Sequence, residues 1–370
     1  MYGGNDNPYE PPGGNGAIGG SGYQNPPSPP PPPINIWDNT IGSNDWNELG
    51  ETNNTPIPLI VNSQLFDHVV GAGQPVYNIG NSTVAYLQSV LGLNTNQANW
   101  LGLHMDIANK IQAYIVIYTP NLTLQEKREI ALKHLELMMT NPGYLNFVNT
   151  YDIQYPTIGV PLLNLADYNF VPQAANNPIT DRSDYLKCFS NVPGATYRVS
   201  LAVDQPVPGS RLKFALASNG QACNVGHTFL ILSQNVNGVT TTRSIGLYPS
   251  GSATPINPEA PGLLNNDQGH QYDVVLIMNV SGNDLMTIVN DIKNNPIPNY
   301  NLNSNNCTHW AVETMSSLPY SFTETAGFWP LGYGPNPADM GEDIRTQPLE
   351  SGQSRITTTG AAPANQGSCP

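Results

Sequence analysis

Near residue 180 the spacing of apolar residues changes, and no other feature limits the possible folds as much. Before it, apolar residues recur every three or four positions. The run "NSTVAYLQSVLGL" sets Val84, Leu87, Val90 and Leu91 on one face behind a polar cap cluster and ends at Gly92. "NTNQANWLGLHMDIANKIQAYIVIY" continues the period with Trp100, Leu103, Ile107, Ile111 and Ile115. "TLQEKREIALKHLELMMTNPG" opens on a capping box, Thr123 to Glu126, and stops at Asn141-Pro142-Gly143. These spacings predict three amphipathic helices in a small helical domain over residues 56–150. After the change the period is two. "ATYRVSLAVDQPV" puts Tyr197, Val199, Leu201 and Val203 on one strand face. "HTFLILSQ" and "VTTTRSIGLYP" flank Asn237-Gly238, a strong hairpin signal, and "QYDVVLIMNV" reads as a central strand. "GNDLMTIVNDIKNNP" and "NCTHWAVETMSSL" read as helices. The order predicts an α+β fold, an antiparallel sheet with packed helices, over residues 180–346.

The ends carry too little apolar material for a core. Residues 1–55 are Gly-, Asn- and Pro-rich, and the run "NPPSPPPPPINIW" favours polyproline II, so a disordered arm acting as a spacer is expected. Residues 347–370, "PLESGQSRITTTGAAPANQGSCP" and the residue before them, are polar and are expected to be a disordered tail. The start "MYGGNDNPYE" lacks the basic and apolar regions of a secretory signal, which leaves export by a non-standard route open.

Charge excludes one class of partner. Thirteen basic against 27 acidic residues give a net charge of −14, and no basic patch with interleaved aromatics is present, so no nucleic-acid partner is expected. No long unbroken apolar run points to stable membrane insertion. The four cysteines, Cys188, Cys223, Cys307 and Cys369, form no CxxC pair and no zinc-finger spacing with histidine, so neither metal nor cofactor is expected. Cys188 and Cys223 fit either a cross-strand disulfide or two free thiols. His68, His104 and His134 lack neighbouring carboxylates at ligand spacing and read as surface or half-buried residues. Asp339, Glu342 and Asp343 in "PADMGEDIR" do not follow the EF-hand ligand pattern and read as a solvated loop.

The chemistry concentrates at "YNLNSNNCTHWAVE" and "VGHTFLILSQ". Cys307 opens a helical stretch, where unpaired amides and the helix dipole favour a thiolate and are available to an oxyanion. His227 opens a strand, and an imidazole held there is suited to act as base for a thiol brought across by the fold. Spacing alone also allows the plain reading, in which Cys307 packs beneath its helix and His227 ends a strand. His309, two residues from Cys307, points elsewhere on a regular helix and reads as structural. His270 reads as a surface loop residue, with lining of the cleft as the alternative, and Asn305 and Asn306 as turn formers or oxyanion donors.

"GHTFLIL" followed by "YNLNSNNCTHWAVE" resembles the permuted papain-like proteins of the NlpC/P60 superfamily. "NCTHWA" is similar to the signature of the lecithin–retinol acyltransferase-like branch. "YRVSLAVDQPVPGSR", "SIGLYP" and "GYGPNPADMGEDIR" resemble a bacterial protein family of Bacteroidetes type. The resemblance covers roughly residues 185–346. It implies Cys307 as nucleophile, His227 as base and a third polar residue on the strand after the histidine. Alternation there favours Ser244, with Thr242 and Tyr248 on the same face and Asp204 on the preceding strand as alternatives. It further implies a thiol-dependent hydrolase of peptide, amide or acyl substrates, including bacterial cell-wall peptide. The rival readings are lipid acyl transfer or hydrolysis on the same fold, and a catalytically silent binding or structural module.

Overall fold

The computed structural model describes residues 82–117, 122–171, 175–216 and 222–367. The expected arm over 1–55, His68 and the start of the helical region lie outside them.

Five helices open the described chain: α1 Ser82–Leu91, α2 Thr95–Leu103, α3 Met105–Val116, α4 Leu124–Thr140 and α5 Pro142–Gln154. The expected capping box closes both ways, with Glu126 N donating to Thr123 Oγ1 and Thr123 N to the Glu126 carboxylate. Two boundaries differ from the sequence reading. The second periodic stretch is two helices, broken at His104, whose Nδ1 lies 2.8 Å from the Trp100 carbonyl while its ring stacks on Trp100 at 3.9 Å. The Asn141-Pro142-Gly143 stop is also a start. The Asn141 side chain accepts from Gly143 N and Tyr144 N, and proline suits the first helical position because its missing N–H would be unpaired there.

The main sheet has six strands: β1 Thr196–Asp204, β2 His227–Val236, β3 Val239–Pro249, β4 Gly262–Asn266, β5 Val274–Val280 and, from the far end of the chain, β8 Gln353–Ile356. The spatial order is β8-β5-β1-β2-β3-β4, antiparallel throughout. β6 Ala326–Trp329 and β7 Gly332–Pro335 form a separate hairpin. Helices α6 Arg182–Leu186, α7 Gly282–Asn294, α8 Cys307–Thr314 and α9 Pro337–Thr346 complete the main elements. Asn237 and Gly238 both have positive φ, 52° and 84°, as the two-residue turn between β2 and β3 demands. β5 is central, as its apolar run required. β4 was not anticipated, because "GLLNN" is short and ends in asparagines. One apolar cluster runs from Val84 through the sheet to Ile344, so the helical region and one sheet face share a core.

Three expectations are corrected, and one open choice is closed. The C-terminal segment is not a disordered tail within the described residues: β8 pairs with β5, and Ala362 covers a small apolar cluster of Ala202, Phe229, Ile231 and Val275 on the opposite sheet face. The edge of β5 offers unpaired backbone groups, and a polar segment satisfies them as well as an apolar one. His134 is fully buried, not at the surface, because Tyr144 Oη at 2.7 Å satisfies its Nδ1. Asp339 and Asp343 are not solvated. Both are buried in α9, where Arg211 reaches Asp339 at 3.1 Å and Asp343 at 2.7 Å, and Lys213 reaches Asp339 at 2.7 Å. Cys223 is a buried free thiol, so the Cys188–Cys223 disulfide is not formed. No helix among the described residues is long and apolar enough to cross a membrane.

Candidate functional site

Cys307 is the first residue of α8. The preceding Asn306 is its N-cap: its side-chain oxygen accepts from Thr308 N and His309 N. Its amide group donates to the carbonyls of Leu302 and Pro335, which anchors the cap to the loop before it and to the end of β7. The Cys307 N–H sits in the helix's first turn, where no intrahelical acceptor exists. His227 opens β2 after Gly226, whose φ is +72°. A Cβ there would lie 2.3 Å from the Asp204 carbonyl, so only glycine admits the turn that aims His227. Helix and strand are pinned by the residues immediately after Cys307 and His227: Thr308 Oγ1 and Thr228 Oγ1 hydrogen-bond at 2.9 Å, fully buried.

His227 and Cys307 are each about 1% exposed. His227 Nε2–H donates to Asp267 Oδ2 at 3.1 Å. Nδ1 is buried without a completed hydrogen bond, and the neighbouring Cys307 thiol adds to the stabilisation of the imidazolium. Burial disfavours the charged ring, but the Asp267 charge and hydrogen bond, with Cys307, outweigh it and raise the His227 pKa to about 10. Asp267 is itself held on its other oxygen, which accepts from Tyr248 Oη and Asn265 Nδ2, both at 2.9 Å. Its backbone N–H donates to the Ser244 carbonyl. Elsewhere, burial without a charged partner pushes the Cys223 thiol far up.

The polar side chain bound to the His227 ring is therefore that of Asp267 and not of Ser244. The two-residue turn sets a register in which Ser244 faces Ile231. The Ser244 hydroxyl is buried and makes no hydrogen bond. Tyr248 is the β3 residue whose ring reaches His227, 4.3 Å between centroids. Gly246 lies under the pair, where a Cβ would sit 2.3 Å from Asp267 Oδ2 and 2.5 Å from His227 Nε2. The absent side chain makes room for a carboxylate from the next strand. Asp267 directly follows β4, and a strand reading of "GLLNN" was the signal that would have found it. Asp204 faces His227 across β1 but lies 3.6 Å from His270 Nε2. The His270 ring stands edge-on to His227 at 5.0 Å. His309 faces Glu324 at 3.7 Å, away from Cys307, as its helical position required.

Two cavities flank this row. On the Asp267 side, about 170 Å³ is lined by polar residues including Asp204, Asn265, Gln268 and His270. On the Cys307 side the space is about 30 Å³, room for a water or two, walled by Phe170, Lys213, Val225, Tyr300, Trp329 and neighbours. Among the described residues no cluster of His, Cys, Asp or Glu has the arrangement of a metal site. A sulfur at a helix N-terminus, an imidazole and a buried carboxylate in sequence are the parts of a thiol-based proton-transfer relay. Comparison with protein families, with curated proteins and with solved structures found no match for this chain.

Proposed function

We propose that the chain is a thiol-dependent hydrolase of the permuted papain-like, NlpC/P60 kind, with Cys307 as nucleophile, His227 as base and Asp267 as the residue that orients the imidazole. The reading rests on one observation: His227 is bound through Nε2 to a buried carboxylate, and a thiol at a helix N-terminus is close enough to favour the charged ring. His227 takes the Cys307 proton, and the thiolate attacks an amide or ester carbonyl. The first-turn N–H of Cys307 donates to the oxyanion. The imidazolium returns its proton to the leaving amine or alcohol, and water releases the acyl group from sulfur. Peptide or isopeptide amides, including those of bacterial cell wall, are the favoured substrates. A second reading, a silent binding module, is supported by the enclosure of Cys307 in a space of about 30 Å³.

Alkylation of Cys307 by iodoacetamide across pH 5–8, followed by peptide mass spectrometry, separates the two. A thiolate paired with imidazolium labels at a rate nearly independent of pH over this range. A plain thiol gains about tenfold per pH unit until near its ordinary value of about 8.5. A tenfold-per-unit slope for Cys307 would remove the hydrolase reading. The Cys307→Ala variant supplies the background and is expected to lack all amidase activity on peptide substrates.

A further inference from the structure

Cys307 is buried and the space beside it holds about 30 Å³, so a catalytic Cys307 requires part of its wall to move. The wall comes from several segments, all outside the main sheet, and one of them is the β6–β7 hairpin, which supplies Trp329. Trp329, the last residue of β6, lies across Gly332 and Gly334 of β7 and stands against Asn303, in the loop that leads to Cys307. Beneath this cover, Trp329 Nε1 and Asn303 Oδ1 are both buried and lack hydrogen bonds. Unpaired buried polar atoms cost stability that water would restore on opening. At the base, Asn306 Nδ2 holds the Pro335 carbonyl, which ties the hairpin root to the cap of α8. At the tip, Leu331 has a φ of +55°, a conformation rare for a branched side chain.

What holds that tip is the helical region. Leu331 N–H donates to Tyr144 Oη at 3.0 Å, and Tyr144 O–H donates to His134 Nδ1 at 2.7 Å. Phe328 of β6 packs against Phe147 and edge-on to Tyr144. The hydrogen-bond chain is consistent along its length, since His134 is buried and uncharged and so can accept.

We propose that the β6–β7 hairpin is a gate over Cys307, hinged at Pro335–Asn336, and that Tyr144 is the latch by which the helical region holds it shut. This assigns the helical region a task that its sequence does not disclose. The meaning of the gate rests on Cys307 being a nucleophile, but its detection does not. The pH slope of labelling reports the nucleophile, whereas the absolute rate reports the gate.

The test uses the same iodoacetamide labelling on the full chain, with Tyr144→Phe beside wild type. In wild type, Cys307 is expected to label well below the rate of a solvent-exposed thiol and well above Cys223, which opens only on unfolding. Tyr144→Phe, which keeps the ring and removes the latch oxygen, is expected to speed Cys307 labelling roughly 5–30-fold at every pH, leaving its slope unchanged and Cys223, reached only by unfolding, still far slower than Cys307. Hydrogen exchange on wild-type protein gives a reading independent of any variant. Amides of β6, β7 and Leu331 are expected to open as often as Cys307 labels, and far more often than those of β5. Wild-type labelling of Cys307 at the exposed-thiol rate, or only as fast as Cys223, would overturn the gate. So would a hairpin as protected as β5, or a folded Tyr144→Phe protein with an unchanged Cys307 rate.

Discussion

Asp267 is the residue on which the electrostatics of the site turn. Its Oδ1 already accepts from Tyr248 and Asn265, and only Oδ2 faces His227. In Asp267→Asn the two fixed donors would claim the side-chain oxygen and leave an NH₂ group against His227 Nε2. The ring would then carry its proton on Nδ1, facing the thiol, and cease to be a base. Thiol labelling and hydrolysis are expected to fall by about 10²–10⁴-fold at neutral pH, with the changed tautomer visible by nitrogen NMR. Stability should change with pH as well. The folded His227 pKa of about 10 exceeds its ordinary value of 6.5, so the imidazolium stabilises the fold fully below pH 6.5 and loses that contribution as pH rises to 10. Denaturant titrations in a Cys307→Ala background, which removes the thiol's own proton from the balance, should show stability declining over that window, and Asp267→Asn in the same background nearly flat. Cys307 and His227 were legible because their local settings, a helix start and a strand start, are written in adjacent residues. Asp267 was not, because its role depends on which strand lies beside β3.

Among the elements, β3 shows how a position without a side chain shapes a site. Gly246 is not needed for backbone freedom; it is needed for volume. A methyl group at Gly246 would occupy the space of the Asp267–His227 contact. Gly246→Ala is therefore expected to leave the sheet intact by circular dichroism while separating the pair. The His227 pKa should move down from about 10 and activity should fall by more than about 10²-fold. A Gly246→Ala protein with an unchanged pH profile would show that the pair tolerates displacement. The helices were mostly legible, because amphipathic period and capping residues act locally. The break at His104 and the start of α5 at Pro142 were not, since a histidine bonding its own helix and an asparagine serving both as stop and as cap look alike in sequence.

For the whole molecule, the acidic balance conceals two buried carboxylates held by cations, Asp339 and Asp343. Asp339 joins α9 to Lys213 and Arg211 and accepts from Asn336 Nδ2 at 2.7 Å, and Lys213 also lines the slot at Cys307. Asp343 accepts from Thr325 N and Oγ1 just before β6. Arg211 is exposed and turns to water when Asp339 is lost, but Lys213 is largely buried against it, so Asp339→Ala should lower stability by about 2 kcal/mol in urea titrations. A loss below about 1 kcal/mol would mean that Lys213 finds water as well.

The sequence by itself determined the local matter: the helical and alternating segments, the Asn237-Gly238 turn, and the thiol and imidazole at the starts of α8 and β2. Those follow from backbone preference and apolar period, which act over a few residues. Tertiary structure alone decided that β4 would lie beside β3 and deliver Asp267 to His227. It also decided that a polar C-terminal segment would close the sheet edge, and that Tyr144 would reach the hairpin over Cys307. Each of these joins groups far apart in the chain, and their contact depends on packing that no short stretch encodes.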